Sequence, residues 1–280
     1  MTAKMAAKIT VLADQGMLDL GDETLEYRMI GPRPDAAPTI VMLHEGLGCV
    51  AMWGDFPDKV AAATSCGVFV YSRKGYGNSS PVPLPRQISY MHEEAKTSVP
   101  RVLDAIGFER GILLGHSDGA SIAAIYAGTH QDHRVLGLVL MAPHFIVEDL
   151  SVKSIAEARA AYNDGDLRAR LARYHPNVDV AFRGWNDVWL DNDFRQWDIS
   201  EELAYIRVPI LIVQGEDDQY GTLRQIEIAN EECYCPVEVA LLPGVKHQPH
   251  REGAEATLKR VADFTQRILQ SEESEAAPTA

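Results

Sequence analysis

Short apolar runs bounded by glycine or proline alternate along this chain with stretches whose apolar residues recur at helical spacing. Thr39 to Leu43, Val68 to Tyr71, Gly111 to Leu114, Val135 to Met141, Ile210 to Gln214 and Val237 to Leu241 read as strands. Thr39-Ile40-Val41-Met42-Leu43 has almost no polar position, the pattern of a strand buried on both faces. Met17 to Met29, MLDLGDETLEYRM, alternates around Gly21-Asp22-Glu23 and predicts an antiparallel hairpin at a sheet edge, with a further edge strand over Ile9 to Leu12. Helices are predicted over Met52 to Thr64, over Ser89 to Ile106 with Pro100 kinking or dividing it, after Gly119, from about Thr222, and over Gly253 to Leu269. Strands that alternate with helices give an α/β class with a mainly parallel sheet covered on both faces. Right-handed crossovers put the strand-to-helix loops along one edge of that sheet, where reactive groups belong.

One stretch breaks the alternation. From His144 to Tyr205 there is no β-run, charges are spread throughout, and Trp185, Trp189 and Trp197 are three of the four tryptophans. It reads as a helical insertion between two strands. The expected organisation is a core over 1–143 and 206–270, a helical cap over 144–205, and an acidic, small-residue tail over 271–280 that is disordered. A chain of 280 residues is long enough for one large α/β domain with an insertion.

Composition narrows the partners. Hydrophobic residues at 46% and charged residues at 24% suit a soluble globular protein. The charge of −14, from 26 basic and 40 acidic residues, weighs against nucleic acid and anionic membrane surfaces as partners. No segment has the apolar length of a membrane span, and the N-terminus has lysines but only short apolar runs, so a cytoplasmic protein is expected. Cys49, Cys66, Cys233 and Cys235 are too few and scattered for a disulfide framework, and Cys233-Tyr234-Cys235 lacks a second pair at zinc spacing, so no metal site is expected. Homo-oligomerisation is left open.

Gly115-His116-Ser117-Asp118-Gly119 follows an apolar strand and opens a helix. This G-x-S-x-G places a serine on a tight strand-to-helix turn, above a helix N-terminus. A serine hydroxyl needs a base within hydrogen-bond reach, and the base needs an orienting group. Asp218, after the strand ending at Gln214, and His247, after the strand ending at Leu241, lie on loops of the same sheet edge. The chain order Ser117, Asp218, His247 makes these the candidate triad.

GHSDG, GEDDQYG, GVKHQPH before the terminal helix and LHEGLG after an early strand together resemble the α/β-hydrolase superfamily over roughly Thr24 to Leu269. The resemblance implies an eight-stranded, mostly parallel sheet, a Ser-His-acid triad, no cofactor, and a variable cap where residues 144–205 lie. Its spacing from Gly215 selects Asp218 over Asp217 and Glu216, with Glu148 and Asp149 in reserve. Its position before the terminal helix selects His247 over His250, which is expected to pack or cap, and His116 is expected to point into the scaffold. The resemblance also implies an oxyanion hole from the main-chain N–H groups of Asp118 and Gly46, with Leu47 adjacent. Glu45 stands where many members have glycine, and Asp118 where many have an apolar residue or glutamine. Asp118 can compensate the helix dipole; Glu45 can pair with Arg73 or Lys74, or lean toward substrate. If both face the pocket, a small neutral or cationic substrate is favoured over a carboxylate. Trp185 and Trp189, with Phe182 and Phe194, are expected either to line an apolar pocket or to pack the cap.

The activity expected is that of a serine hydrolase of an ester, lactone or related acyl compound. A serine at the elbow argues against haloalkane dehalogenase and epoxide hydrolase chemistry, for which relatives use aspartate. Carbon-carbon hydrolysis of ring-fission products and non-catalytic small-molecule binding are the alternatives.

Overall fold

Residues 12–276 are described by the structure, a computed structural model. Its strands are β1 (Gln15–Asp19), β2 (Thr24–Ile30), β3 (Thr39–Leu43), β4 (Gly67–Tyr71), β5 (Gly111–His116), β6 (Val135–Met141), β7 (Ile210–Gly215) and β8 (Val237–Leu242). They form one eight-stranded sheet in the order β1-β2-β4-β3-β5-β6-β7-β8. The β1–β2 hairpin is antiparallel and β2 pairs antiparallel with β4, while every pairing from β4 through β3 to β8 is parallel. The further edge strand expected over 9–12 lies outside the described residues except for Leu12, which is buried but belongs to no strand.

The helices are α1 (Phe56–Thr64), α2 (Tyr90–Glu93), α3 (Val99–Ala105), α4 (Asp118–His130), α5 (Asp149–Asp164), α6 (Leu167–Leu171), α7 (Val178–Trp189), α8 (Ser200–Leu203), α9 (Arg224–Glu232), α10 (Pro249–Glu252) and α11 (Ala254–Ala276). They explain why the central strands are continuous apolar runs. Ile40, Met42, Val68, Val70, Ile112 and Leu114 point to one face, into a core shared with Phe56 and Val60 of α1 and Val261 and Phe264 of α11. Val41, Leu43, Phe69 and Leu113 point to the other, against Val102 of α3, Ile122 and Ile125 of α4 and the residues beyond them. A period of two with both faces covered leaves no place for a polar side chain.

Two helices differ from the periodicity. The segment after Val50 begins as a 3-10 turn, Val50–Trp53, and α1 starts only at Phe56 with Pro57 in its first turn, where a missing N–H costs nothing. Residues 90–105 are helical throughout, but Pro100 has no N–H to give the carbonyl four residues back, and Glu94–Ser98 opens into a π-helical turn. The tail requires a correction: α11 runs to Ala276, so residues 271–276 are helical rather than disordered. Glutamate and alanine are good helix formers, Ser271 bonds back to the Arg267 carbonyl at 3.0 Å, and Glu272 meets Arg110 at 2.9 Å. Residues 277–280 lie outside the described residues.

Between β6 and β7 the chain carries α5 to α8 and a 3-10 turn, Asp193–Gln196. The two stalks of this insertion meet at one isolated bridge, Ile146 with Asp198, supported by the Ile199 N–H on the Phe145 carbonyl at 2.9 Å. Tyr162 of α5 stacks on Phe182 of α7 at 3.7 Å, and Phe194 stacks on Trp197 at 5.5 Å. No helix among the described residues is long and apolar enough to cross a membrane.

Phe264 is fully buried where α11 crosses β6. Phe264→Ala is expected to lower unfolding free energy by about 3–5 kcal/mol in urea denaturation; a loss under about 1 kcal/mol would contradict its place in the core.

Candidate active site

Ser117 joins β5 directly to α4 with φ 52° and ψ −119°, a conformation that costs a non-glycine residue energy. The surroundings enforce it. The Ser117 N–H donates to the Met141 carbonyl of β6 at 2.9 Å, and its carbonyl accepts from Ala120 N–H at 2.8 Å and Ser121 N–H at 3.1 Å. On either side the chain passes too close to its neighbours for a side chain: a Cβ at Gly115 would lie 2.3 Å from the Gly119 carbonyl oxygen, and one at Gly119 would lie 2.2 Å from that of Leu43. The spacing of G-x-S-x-G is thus a packing requirement.

Beyond β8, His247 brings Nε2 to 3.0 Å from Ser117 Oγ, and its Nδ1 is 2.9 Å from both carboxylate oxygens of Asp218. Asp218 is fixed in turn by the N–H groups of Tyr220 (2.7 Å) and Gly221 (3.3 Å) and by Gln214 Nε2 (2.8 Å). Burial disfavours its charge, but His247 beside it outweighs burial and holds the carboxyl below its ordinary value. Asp217 and Glu216 are exposed. Glu148 is engaged by Thr222 and Gln225, and Asp149 by Arg195, so neither reserve acid meets His247. His250 packs against Trp53 and Phe56.

The loop after β3 is pinned by its carbonyls. The Glu45 carbonyl accepts from His44 Nδ1 at 2.7 Å and Arg73 Nη2 at 3.1 Å, while His44 Nε2 accepts the Arg73 N–H at 2.9 Å. From the insertion, His175 Nε2 donates to the Leu47 carbonyl at 2.9 Å, and Trp185 lies so close over Gly46 that a Cβ there would meet the indole nitrogen at 2.2 Å. No main-chain acceptor among the described residues takes the N–H of Gly46 or Leu47.

The two unusual carboxylates part company here. Asp118 borders the cavity, but its side chain is fully buried among polar partners: Tyr90 Oη and Trp189 Nε1 (3.3 Å) donate to it, and Arg73 Nη2 is 4.0 Å off. Burial raises its pKa, with Arg73 only partly offsetting. Both acids border the pocket, but the Asp118 carboxylate is solvated from within the scaffold by Tyr90, Trp189 and Arg73. Glu45 pairs with neither Arg73 nor Lys74. Its carboxylate lies 3.5 Å from His116 Nδ1, and Lys74 is taken by Glu23 at 3.0 Å.

A cavity of about 220 Å³ opens above Ser117 and His247, walled by Leu47, Met52, Ile155, Ala158, Leu167, Leu171, Trp185, Trp189 and Tyr220, with Glu45, His144 and Gln248 among its polar members. Trp185 and Trp189 line it, whereas Phe182 and Phe194 do not and belong to the core of the insertion. The aliphatic wall of α5 and α6, and Tyr220, His144 and His175, carry no local motif that would have singled them out. Tyr220 packs on His247 at 4.7 Å, and its proximity to Asp218 in the sequence was the one available signal.

A parallel sheet with an elbow serine, a histidine and an aspartate brought together at one edge, under a helical lid, defines the α/β-hydrolase class. The chain belongs to it: the alpha/beta hydrolase fold family matches residues 38–183. The chain is 24% identical over 237 residues to a proline iminopeptidase of Lactobacillus acidophilus, covering 71% of this chain and 80% of that one. Among solved structures it is similar to VinJ (TM-score 0.73, 18% identity, 91% and 98% of the two chains) and to the enol-lactonase of Burkholderia xenovorans LB400 (TM-score 0.67, 23% identity, 89% and 99%).

Burial pushes His144 and His250 down to about 3, below the ordinary 6.5. Both rings stay neutral in the folded protein while the unfolded chain takes up their protons. The stability each contributes is present above pH 6.5 and is lost as pH falls toward 3, by up to about 1.4 kcal/mol per pH unit per ring. Urea denaturation between neutral pH and pH of about 5 is expected to show a shallower pH dependence in His250→Gln than in wild type; equal slopes would mean that the ring is not held neutral.

Proposed function

We propose that this hydrolase cleaves small esters, lactones or related acyl compounds through Ser117 as nucleophile, His247 as general base and acid, and Asp218 as the orienting carboxylate. The observation that carries the reading is the hydrogen-bonded line from Ser117 Oγ to His247 Nε2 and from Nδ1 to Asp218. As the hydroxyl attacks a carbonyl, its proton passes to Nε2, and Asp218 stabilises the imidazolium that forms. The tetrahedral oxygen is received by the N–H groups of Asp118, at the first turn of α4, and Gly46. Nε2 then protonates the leaving alcohol, and water releases the acyl group by the same steps in reverse.

The size and apolar wall of the cavity favour short acyl and alcohol groups without a carboxylate. Relatives named proline iminopeptidases raise a peptidase reading, in which a cavity carboxylate would hold the substrate's ammonium. Glu45 is the carboxylate turned toward the cavity, and it is already engaged with His116, which favours neutral acyl substrates.

A fluorophosphonate probe is expected to label the wild type and not Ser117→Ala. Hydrolysis of short neutral esters is expected to fall about 1,000-fold or more in His247→Ala, and esters carrying a carboxylate to be poorer substrates than matched neutral ones. An unlabelled wild type would remove the activated serine; equal rates on the two ester series would remove the charge preference.

A further inference from the structure

The contact between Glu45 and His116 approaches His247 from a side that the proposed reaction does not use, and the inference drawn from it rests on that reading. His116 ends β5, is fully buried, and holds Nε2 2.7 Å from the main-chain carbonyl of His247. A carbonyl only accepts, so Nε2 carries the hydrogen. In a neutral ring Nδ1 would then present a bare lone pair to the Glu45 carboxylate, whose Oε2 is 3.5 Å away. In the imidazolium form Nε2 donates to a carbonyl and Nδ1, a buried nitrogen with no hydrogen-bond partner, lies beside a carboxylate.

No neighbouring imidazole is free for this part. His44, on the loop of Glu45, spends one nitrogen on the Arg73 N–H and the other on the Glu45 carbonyl. His247 is turned to Ser117 and Asp218. His144, beyond β6, and His250, on α10 with its ring 4.9 Å from that of His116, are both kept uncharged by burial. The loop is shaped around the carboxylate as well, since a Cβ at Gly48 would lie 2.4 Å from Glu45 Oε2. Burial opposes the charge on Glu45, but the surrounding imidazoles, His116 first among them with His44 and His250 adding, together hold the carboxyl far below its ordinary value.

We propose that Glu45 and His116 form a positioning pair that holds the His247 main chain, and with it the distance from imidazole to Ser117, by tying the loop after β3, the elbow and the loop after β8 into one unit. Neither residue touches the reacting atoms. The pair sets where the base stands, so its loss lowers kcat more than it changes KM.

Nitrogen-15 NMR of the imidazoles and kinetics on a short neutral ester test this together. Near neutral pH, wild-type His116 is expected with both nitrogens protonated, and with one in Glu45→Gln. Glu45→Gln and His116→Gln are each expected to lower kcat about 10-fold or more with KM changed less than about threefold, and the double variant to be no slower than the slower single one. A singly protonated His116 in the wild type, an unchanged kcat in Glu45→Gln, or losses that multiply in the double variant would overturn the proposal. If His116→Gln does not fold, Glu45→Gln, which alters a partly exposed carboxylate, carries both readouts. A wild type that neither hydrolyses esters nor takes the fluorophosphonate label would sink the hydrolase reading, while the NMR result would still decide whether the pair exists.

Discussion

The strained turn at Ser117 is the constraint on which the site depends. A non-glycine residue at φ 52°, ψ −119° persists only where its surroundings over-determine it. Here the Met141 carbonyl on β6 takes its N–H, the first turn of α4 takes its carbonyl, and the backbone of Leu43 fills the space beside Gly119. Three neighbouring strands thus converge on one residue. The same convergence brings His247, after β8, within hydrogen-bond reach of the hydroxyl and Asp218, after β7, within reach of His247, because parallel strands send all their carboxyl ends to one edge.

The insertion is fastened to this edge by polar contacts as well as by its apolar faces. Trp189 of α7 donates to Asp118, the residue after the serine, and His175 donates to the Leu47 carbonyl. Trp185 closes over Gly46. Each contact joins the insertion to a loop whose main-chain N–H is a candidate oxyanion donor, so the wall that shapes the cavity and the groups that would stabilise charge share the same supports. Buried polar links of this kind fix geometry more than they add stability.

The strands and the elbow at Ser117 were legible because their causes are local: an unbroken apolar run for a strand covered on both faces, and two glycines where the turn leaves no room; Asp218 and His247 were singled out through the family resemblance. The hinge near Pro100 was legible for the same reason. What escaped were contacts between residues far apart in sequence. The side on which Asp118 points is decided by Tyr90, Arg73 and Trp189, which come from three separate segments. The partner of Glu45 is His116 rather than a nearby cation because Lys74 is drawn to Glu23, and Arg73 directs Nη2 to main-chain carbonyls and Asp118. The composition of the tail suits solvent and helix alike, and the contact of Glu272 with the distant Arg110 is a reason for helix that local sequence does not carry.

Two carboxylates beside a centre that would gather negative charge look self-defeating, and the geometry removes the conflict by different means for each. The carboxylate of Asp118 is held among Tyr90, Trp189 and Arg73. Donors and a cation at that distance neutralise the charge locally, and the N–H that a tetrahedral oxygen would meet lies at the positive end of α4. Glu45 stays nearer, and it is His116 that determines how much of its charge reaches the cavity. If the carboxylate were alone, its field in an apolar cavity would oppose an oxyanion more strongly than in water. Paired with an imidazolium it becomes a dipole, whose field falls off faster with distance. Under the proposed pairing, His116 is therefore what limits the field that Glu45 sends into the cavity.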